Sequence, residues 1–192
     1  TLVTLSARQR AAGWAEAIKH GLIMDEPLLK IFEKNQNEVQ GLESPIATEV
    51  IRRSMAIKAE VVSKDERETL GIRTLLNYGH TVGHALETAT GYDRLLHGEA
   101  VSIGMCAAAY IAQEVGLVGE EVVERQRSLL QAYSLPTRCE GVDIVQVRQA
   151  MAVDKKSVSG NIHWVLLEKV GSALVRADVP DLAVDAALQK VT

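Results

Sequence analysis

The stretch NYGHTVGHALE, residues 77–87, places two histidines four residues apart, each directly after a glycine. On a continuous helix, Asn77, His80 and His84 follow i, i+3, i+7 spacing and share one face. A glycine inside a helix costs about 1 kcal/mol relative to alanine. We therefore expect the two glycines where a ligand or another helix approaches the backbone closely.

The segments on both sides of this stretch have the 3.6-residue spacing of apolar side chains that is typical of helices. Asp25 with Pro27, and Ser44 with Pro45, have the pattern of helix starts, and Gly91 that of a helix end. The predicted helices cover residues 6–23, 24–35, 44–62, 72–90, 97–117, 119–135, 142–156 and 181–191. The helix from residue 97 is apolar on nearly all sides, which predicts a central position.

Residues 161–179, NIHWVLLEKVGSALVRADV, depart from the helical period. They predict two strands around a turn at Lys169–Gly171. We therefore expect a mainly α fold, a helical bundle with one small β-hairpin near the C-terminus. No linker divides the sequence, so residues 1–192 are predicted to form a single domain.

Composition excludes several classes of protein. Among the 192 residues, 47% are hydrophobic and only 4% aromatic, which predicts an aliphatic core. A net charge of −4 argues against nucleic acid as a partner. The sequence contains no run of 18 apolar residues, so we expect no membrane span. Cys106 and Cys139 are far apart without CxxC spacing, so we expect buried thiols in a reduced, cytoplasmic protein.

A third histidine, His97, and a carboxylate, Glu16, extend the candidate site. His97 begins the HGEAV segment soon after the histidine pair, so a short turn could fold it back. Two histidines and one carboxylate with an open fourth position make up a catalytic zinc site. The alternatives remain open, since His80 and His84 could be hydrogen-bonded histidines between helices. Glu16 could equally form a surface pair with Lys19.

Several cations could serve an anionic ligand. Arg73 lies one turn before Asn77, and a cation and an amide there could hold phosphate or carboxylate. Lys155 and Lys156 precede a glycine and a strand, as in a loop over a site. Any single lysine, Lys58 included, is more often a solvated side chain.

Five segments together resemble the successive signature blocks of the 3-dehydroquinate synthase family, in the family's order. The segments are AGWAEAIKHGLI, IKAEVVSKDERE, IRTLLNYGHTVGHALE, LLHGEAVSIGM and DKKSVSGNIHWVLL. They cover most of the chain, from about Gly13 to Gly171.

The resemblance implies a two-domain enzyme whose N-terminal α/β half binds NAD through a glycine-rich turn. This chain has no strand–GxGxxG–helix pattern, so it is expected to be the C-terminal helical domain and to be inactive alone. The family converts 3-deoxy-D-arabino-heptulosonate 7-phosphate to 3-dehydroquinate and phosphate, in the shikimate route to aromatic amino acids. It uses NAD and Zn²⁺ or Co²⁺, and a homodimer is expected.

The resemblance also implies roles for individual residues. The metal ligands are Glu16, His80 and His97. Proton transfer and catalysis are assigned to His84, Glu68 and Lys19. The substrate contacts are assigned to Lys58, Arg73, Asn77 and Lys155.

Two alternatives remain. Sugar-phosphate cyclases that make valiolone-type or deoxy-inosose rings share the histidine blocks and the metal; Lys58, Arg73 and Asn77 favour the dehydroquinate pattern. The second alternative is a non-catalytic helical domain that only binds a partner. The intact set of Glu16, His80, His84 and His97 argues against a site that has decayed.

Overall fold

Nine α-helices and a two-stranded antiparallel sheet form the part of the chain that the computed structural model describes, residues 2–66, 71–157 and 162–192, with the backbone alone at 153–157. The helices are α1 Ala7–Met24, α2 Glu26–Lys34, α3 Gln36–Gln40, α4 Ile46–Lys64, α5 His80–Ala89, α6 His97–Glu114, α7 Glu120–Ala132, α8 Ile144–Ser157 and α9 Asp181–Val191. Short 3-10 helices span Leu2–Thr4 and Arg73–Asn77. The predicted mainly α fold is confirmed.

Local capping explains where the first helices begin. The Ser6 hydroxyl accepts from the backbone N–H of Gln9 at the start of α1. At the start of α2, Asp25 accepts from the N–H of Leu28, as its position before Pro27 predicts. The start predicted at Ser44 is wrong, because α4 begins at Ile46 and has no side-chain cap.

The continuous helix predicted over residues 72–90 is also wrong. A 3-10 helix, Arg73–Asn77, precedes a break at Tyr78 and Gly79, and α5 begins only at His80. Gly79 has φ +82°, a left-handed conformation that glycine adopts without strain. The break turns the fully buried Tyr78 inward, and its hydroxyl donates to Gln126 Oε1 at 2.7 Å. Core packing therefore interrupts the helix that the local pattern predicts.

Helix α6 lies at the centre of the fold, as predicted. It contacts α1, α5, α7, α9 and the first strand, and most of its residues from Gly98 to Ala112 are buried. A Cβ added at Gly98 would lie 1.9 Å from the carbonyl oxygen of Ala12, and one at Gly104 would lie 1.9 Å from that of Gly79. Glycine thus lets α6 approach α1 at its first turn and the start of α5 near its middle.

The predicted hairpin is confirmed. Strand β1, Trp164–Lys169, pairs antiparallel with β2, Ser172–Arg176. The turn contains Gly171, with φ +82°, whose N–H donates to the carbonyl of Leu22 at 2.7 Å. This bond joins the hairpin to the end of α1.

The described core is mostly aliphatic, as the composition predicts. Cys106 and Cys139 are both buried and unpaired. In the described ranges, no helix combines the length and the hydrophobicity needed to cross a membrane.

Candidate metal centre

Glu16 presents one carboxylate oxygen that the described residues leave without a hydrogen bond. Its Oε2 accepts from the Lys19 ammonium at 2.7 Å, while Oε1 is buried and unpartnered. Burial raises the pKa of Glu16, but the Lys19 charge and hydrogen bond outweigh this and hold the pKa below its usual value. Glu16 is therefore a carboxylate at neutral pH, with Oε1 available to a cation.

Lys19 is itself buried, with 2% of its surface exposed. Burial lowers its pKa, and the attraction of Glu16 offsets that effect only in part. The surface pair that Glu16 and Lys19 could have formed is thus a mostly buried one. Because Lys19 holds the Glu16 carboxylate through Oε2, the carboxylate is oriented to bind a cation through Oε1.

His80, the first residue of α5, directs one nitrogen at Glu16. Its Nε2 lies 3.7 Å from Glu16 Oε1, and its Nδ1 lies 3.2 Å from the carbonyl oxygen of Tyr78. A carbonyl can only accept, so Nδ1 carries the proton and Nε2 has the lone pair. Burial, reinforced by Lys19, lowers the pKa of His80 to about 4. The ring is therefore neutral at pH 7, as a metal ligand must be.

His97, the first residue of α6, approaches the same oxygen from another helix. Its Nε2 lies 3.9 Å from Glu16 Oε1, and its Nδ1 lies 3.2 Å from Glu87 Oε1. The side chain is half-exposed, at 49%. Glu16, His80 and His97 thus bring three potential ligand atoms within 4.8 Å of one another.

These separations suit a tetrahedral divalent ion. Ligands about 2.0–2.1 Å from zinc lie roughly 3.3–3.5 Å apart in a tetrahedron, close to the 3.7 and 3.9 Å found from Glu16 Oε1 to the two imidazole nitrogens. A buried carboxylate oxygen without a hydrogen-bond partner, facing one nitrogen of each of two imidazoles, is a set of donor atoms that suits zinc or cobalt. The residues present therefore fit a catalytic metal.

The helix contacts that bring the ligands together involve glycine and one ion pair. Gly98 lies against α1 directly after His97, and Gly83 lies against Ala100 of α6. Arg8 of α1 forms a two-pronged ion pair with Glu99, with both N–O distances at 2.6 Å. Glu99 also accepts from the Leu96 N–H and so fixes the first turn of α6.

His84 is exposed and lies beside the two histidines among the candidate ligands. Its ring centroid is 5.3 Å from that of His80 and 5.9 Å from that of His97. His84, Glu87 and His97 form a second group with ligand atoms within 4.8 Å of one another. The candidate centre is thus a cluster of three imidazoles and two carboxylates.

The predicted substrate-binding residues lie on neighbouring elements. Lys58 is exposed on α4, and Asn77 is exposed at the end of the second 3-10 helix. Arg73, at the start of that 3-10 helix, is partly buried, and its guanidinium lies 3.4 Å from the Glu66 carbonyl. The 3-10 helix contacts α1, α4 and the hairpin. Glu68 and the Lys155 side chain lie outside the described residues.

The break at Tyr78–Gly79 changes the geometry predicted for the histidine face. Asn77 and His80 belong to different elements, so they do not share a face of one helix. His80 and His84 do lie on one face of α5.

Sequence reasoning missed two residues near the centre. Glu87 Oε1 lies within hydrogen-bonding distance of His97 Nδ1, and the position of Glu87 seven residues after His80 on a helical face could have identified it. His20, buried between α1 and α4, has its Nδ1 2.8 Å from the Ser54 hydroxyl. Desolvation lowers the pKa of His20 to about 4, and no sequence signal distinguishes it from a core histidine.

Comparison with known proteins identifies related sequences along the whole chain. A family described as 3-dehydroquinate synthase C-terminal matches residues 13–157. A 3-dehydroquinate synthase of Methylacidiphilum infernorum is 44% identical over 99% of this chain and 51% of its own length. One from Acidithiobacillus ferrooxidans is 41% identical over 98% and 52%. The chain spans about half the length of these relatives.

Solved structures of related cyclases share the fold. A 2-epi-5-epi-valiolone synthase from Streptomyces hygroscopicus, with NAD⁺ and Zn²⁺ bound, has a TM-score of 0.88 and 28% identity over 99% of this chain and 53% of its own. A 2-deoxy-scyllo-inosose synthase with carbaglucose-6-phosphate, NAD⁺ and Co²⁺ has a TM-score of 0.76 and 25% identity over 98% and 54%.

Proposed function

This chain belongs to the 3-dehydroquinate synthase family, and we propose that it forms the metal- and substrate-binding half of an enzyme with that activity. The enzyme would convert 3-deoxy-D-arabino-heptulosonate 7-phosphate to 3-dehydroquinate and phosphate, in the cytoplasm. The observation that carries the proposal is the convergence of Glu16 Oε1, His80 Nε2 and His97 Nε2 in a chain of this family.

The proposed enzyme needs a second part that binds NAD. The chain spans about half the length of its relatives, and the two cyclases of similar fold were solved with NAD⁺ bound. We therefore assign hydride transfer to NAD held mainly by an N-terminal domain of the same enzyme, and expect the whole enzyme to be a homodimer. The described residues alone would bind metal without turnover.

We assign Glu16, His80 and His97 as ligands of Zn²⁺ or Co²⁺, the ions named for the two related cyclases. In the family's reaction, NAD transiently oxidises a ring hydroxyl of the substrate to a ketone. A bound ion would act as a Lewis acid towards that hydroxyl and that ketone. Lys19 would hold Glu16 through Oε2 and keep Oε1 directed at the ion. The Tyr78 carbonyl would keep the His80 proton on Nδ1.

The residues around the metal ligands would bind substrate and move protons. His84 is exposed next to both ligand histidines, so a substrate could reach its ring. Imidazole is suited to proton transfer near neutral pH. Lys58 and Arg73 would pair with the substrate phosphate and carboxylate, and Asn77 would bind hydroxyls. Glu68 and Lys155 remain assigned by resemblance alone.

The second candidate function is a different cyclase reaction. The two solved cyclases described above are named for other ring products, a valiolone and a deoxy-inosose. Their identities of 28% and 25% are below the 44% and 41% of the dehydroquinate synthases, which favours the heptulosonate phosphate as substrate. A non-catalytic, partner-binding role is the remaining alternative.

Phosphate release by the chain joined to its N-terminal domain tests the proposal. With NAD and Zn²⁺, we expect release from 3-deoxy-D-arabino-heptulosonate 7-phosphate and formation of 3-dehydroquinate. Release only from a seven-carbon sugar phosphate without a carboxylate, or only from a hexose phosphate, would support the other cyclase reactions. Zinc binding with no turnover of any of these would support the non-catalytic role. A Glu16→Ala variant, expected to lose both zinc and turnover, is the matched control.

A further inference from the structure

We propose that Glu87 is a positioning residue of the metal centre, which holds the His97 ring so that Nε2 faces Glu16. The proposal rests on the proposed metal site. It assigns a role to a carboxylate that is not among the proposed ligands. The Glu87 Oε1 to His97 Nδ1 distance is 3.2 Å, and the Glu87 side chain is only 12% exposed.

His97 needs such a partner more than His80 does. The side chain of His97 is 49% exposed, against 15% for His80, so fewer neighbours restrict its ring. An unrestrained ring would lose side-chain entropy on binding a metal and could present either nitrogen. A hydrogen bond from a largely buried carboxylate removes that freedom beforehand.

The hydrogen bond also selects the tautomer. An ionised carboxylate only accepts, so the proton of a neutral His97 lies on Nδ1 and the lone pair on Nε2. The same arrangement exists at His80, where the Tyr78 carbonyl is the acceptor. Both imidazoles therefore offer Nε2 to the position in front of Glu16 Oε1. Partners of this kind typically raise metal affinity by about 10–100-fold.

The packing of α5 on α6 brings Glu87 to His97. Glu87 lies seven residues after His80 in α5, two turns along the same face. Gly83, between them, lets α5 approach Ala100 of α6, where an added Cβ would lie 3.2 Å from the Ala100 carbonyl. This contact lies one turn from the start of α6, where His97 is located.

Direct metal binding by Glu87 is the competing role, since His84, Glu87 and His97 could also hold an ion. If His97 binds the first ion through Nε2, a second ion at Nδ1 would require loss of the remaining ring proton. A hydrogen bond to Glu87 requires no such deprotonation. The geometry therefore favours the positioning role.

Zinc titration of the chain against a chromophoric chelator tests the proposal. We expect one ion per wild-type chain and affinity about 10–100-fold lower in Glu87→Ala. Glu87→Gln should lose less, because its amide oxygen still accepts from Nδ1–H. Glu114→Ala is the matched control, since it removes a carboxylate from the far end of α6 and should bind as wild type. Thermal unfolding of each metal-free variant checks that it is folded.

Nitrogen-15 NMR of the imidazole rings separates positioning from a structural effect. In the metal-free wild type, His97 should be the Nδ1–H tautomer, and in Glu87→Ala it should become a mixture while His80 stays unchanged. Wild-type affinity and tautomer in Glu87→Ala would overturn the proposal. So would two ions in the wild type and one in Glu87→Gln, because Glu87 would then be a ligand. A wild type that binds no metal would instead overturn the proposed function.

Discussion

The two halves of the candidate site differ in how they are held. The three proposed metal ligands begin or lie within helices that pack closely through glycine, and a hydrogen bond further restrains each of their side chains. The proposed substrate contacts Lys58 and Asn77 are exposed, on α4 and a short 3-10 helix. The comparison indicates that helix packing holds the proposed metal ligands in place, whereas the two exposed residues have fewer neighbours to restrain them.

Removing a metal ligand should have the largest effect. His80→Ala should abolish zinc binding in equilibrium dialysis, because two ligands remain and one of them is half-exposed. His84→Ala should keep zinc at one equivalent and lose turnover by about 10²–10⁴-fold in the two-domain protein, as expected for a proton-transfer group. Stoichiometric loss of zinc in the His84 variant would reverse the two roles.

A substitution at a glycine between packed helices, which leaves all three ligand side chains present, should have the next largest effect on the metal half. Gly98→Ala places a Cβ 1.9 Å from the Ala12 carbonyl oxygen, so α6 must shift from α1 and carry His97 away from Glu16. We expect destabilisation by about 3 kcal/mol and weaker zinc binding, measured by denaturant unfolding and by titration.

Gly13→Ala is the matched control for this substitution. Gly13 lies in α1, next to the Ala12 that Gly98 of α6 contacts, and a Cβ at Gly13 would meet no atom within 4 Å. Replacement should stabilise the chain by about 0.5–1 kcal/mol and leave zinc binding unchanged. Equal behaviour of the two variants would contradict the claim that close helix packing sets the metal geometry.

Changes in the substrate half should affect the metal least. Lys58→Ala should leave zinc affinity unchanged and weaken binding of a carbocyclic phosphonate analogue by about 10–100-fold, the loss of one charge-assisted hydrogen bond. Calorimetry on the two-domain protein measures both. Lys64→Ala removes another exposed cation of α4, paired with Glu60, and should change neither. Zinc loss in the Lys58 variant would show that the two halves are not independent.

The motifs predicted more of the site than of its local backbone. Spacing and resemblance selected Glu16, His80 and His97, whose ligand atoms converge in the structure. The same spacing predicted one helix over residues 72–90, where the chain instead breaks at Gly79. The break places Tyr78 in the core against Gln126, a residue 48 positions away, so a local pattern could not predict it.

The sequence by itself determined the helical class, the hairpin, the central helix α6 and the residue types of a metal site, because periodicity, capping and ligand chemistry are local properties. Only the tertiary structure decided that Lys19 contacts Glu16 from a buried position, that the Tyr78 carbonyl and Glu87 lie 3.2 Å from the Nδ1 atoms of His80 and His97, and that Gly98 and Gly104 determine how closely the helices approach. The contacts of His80 and His97 with near neighbours in the chain depend on the break before α5 and on the packing of α5 against α6. The burial of Lys19 and the two glycine contacts depend on distances between residues remote in sequence. Packing of the whole core determines such distances, and one-dimensional spacing does not contain them.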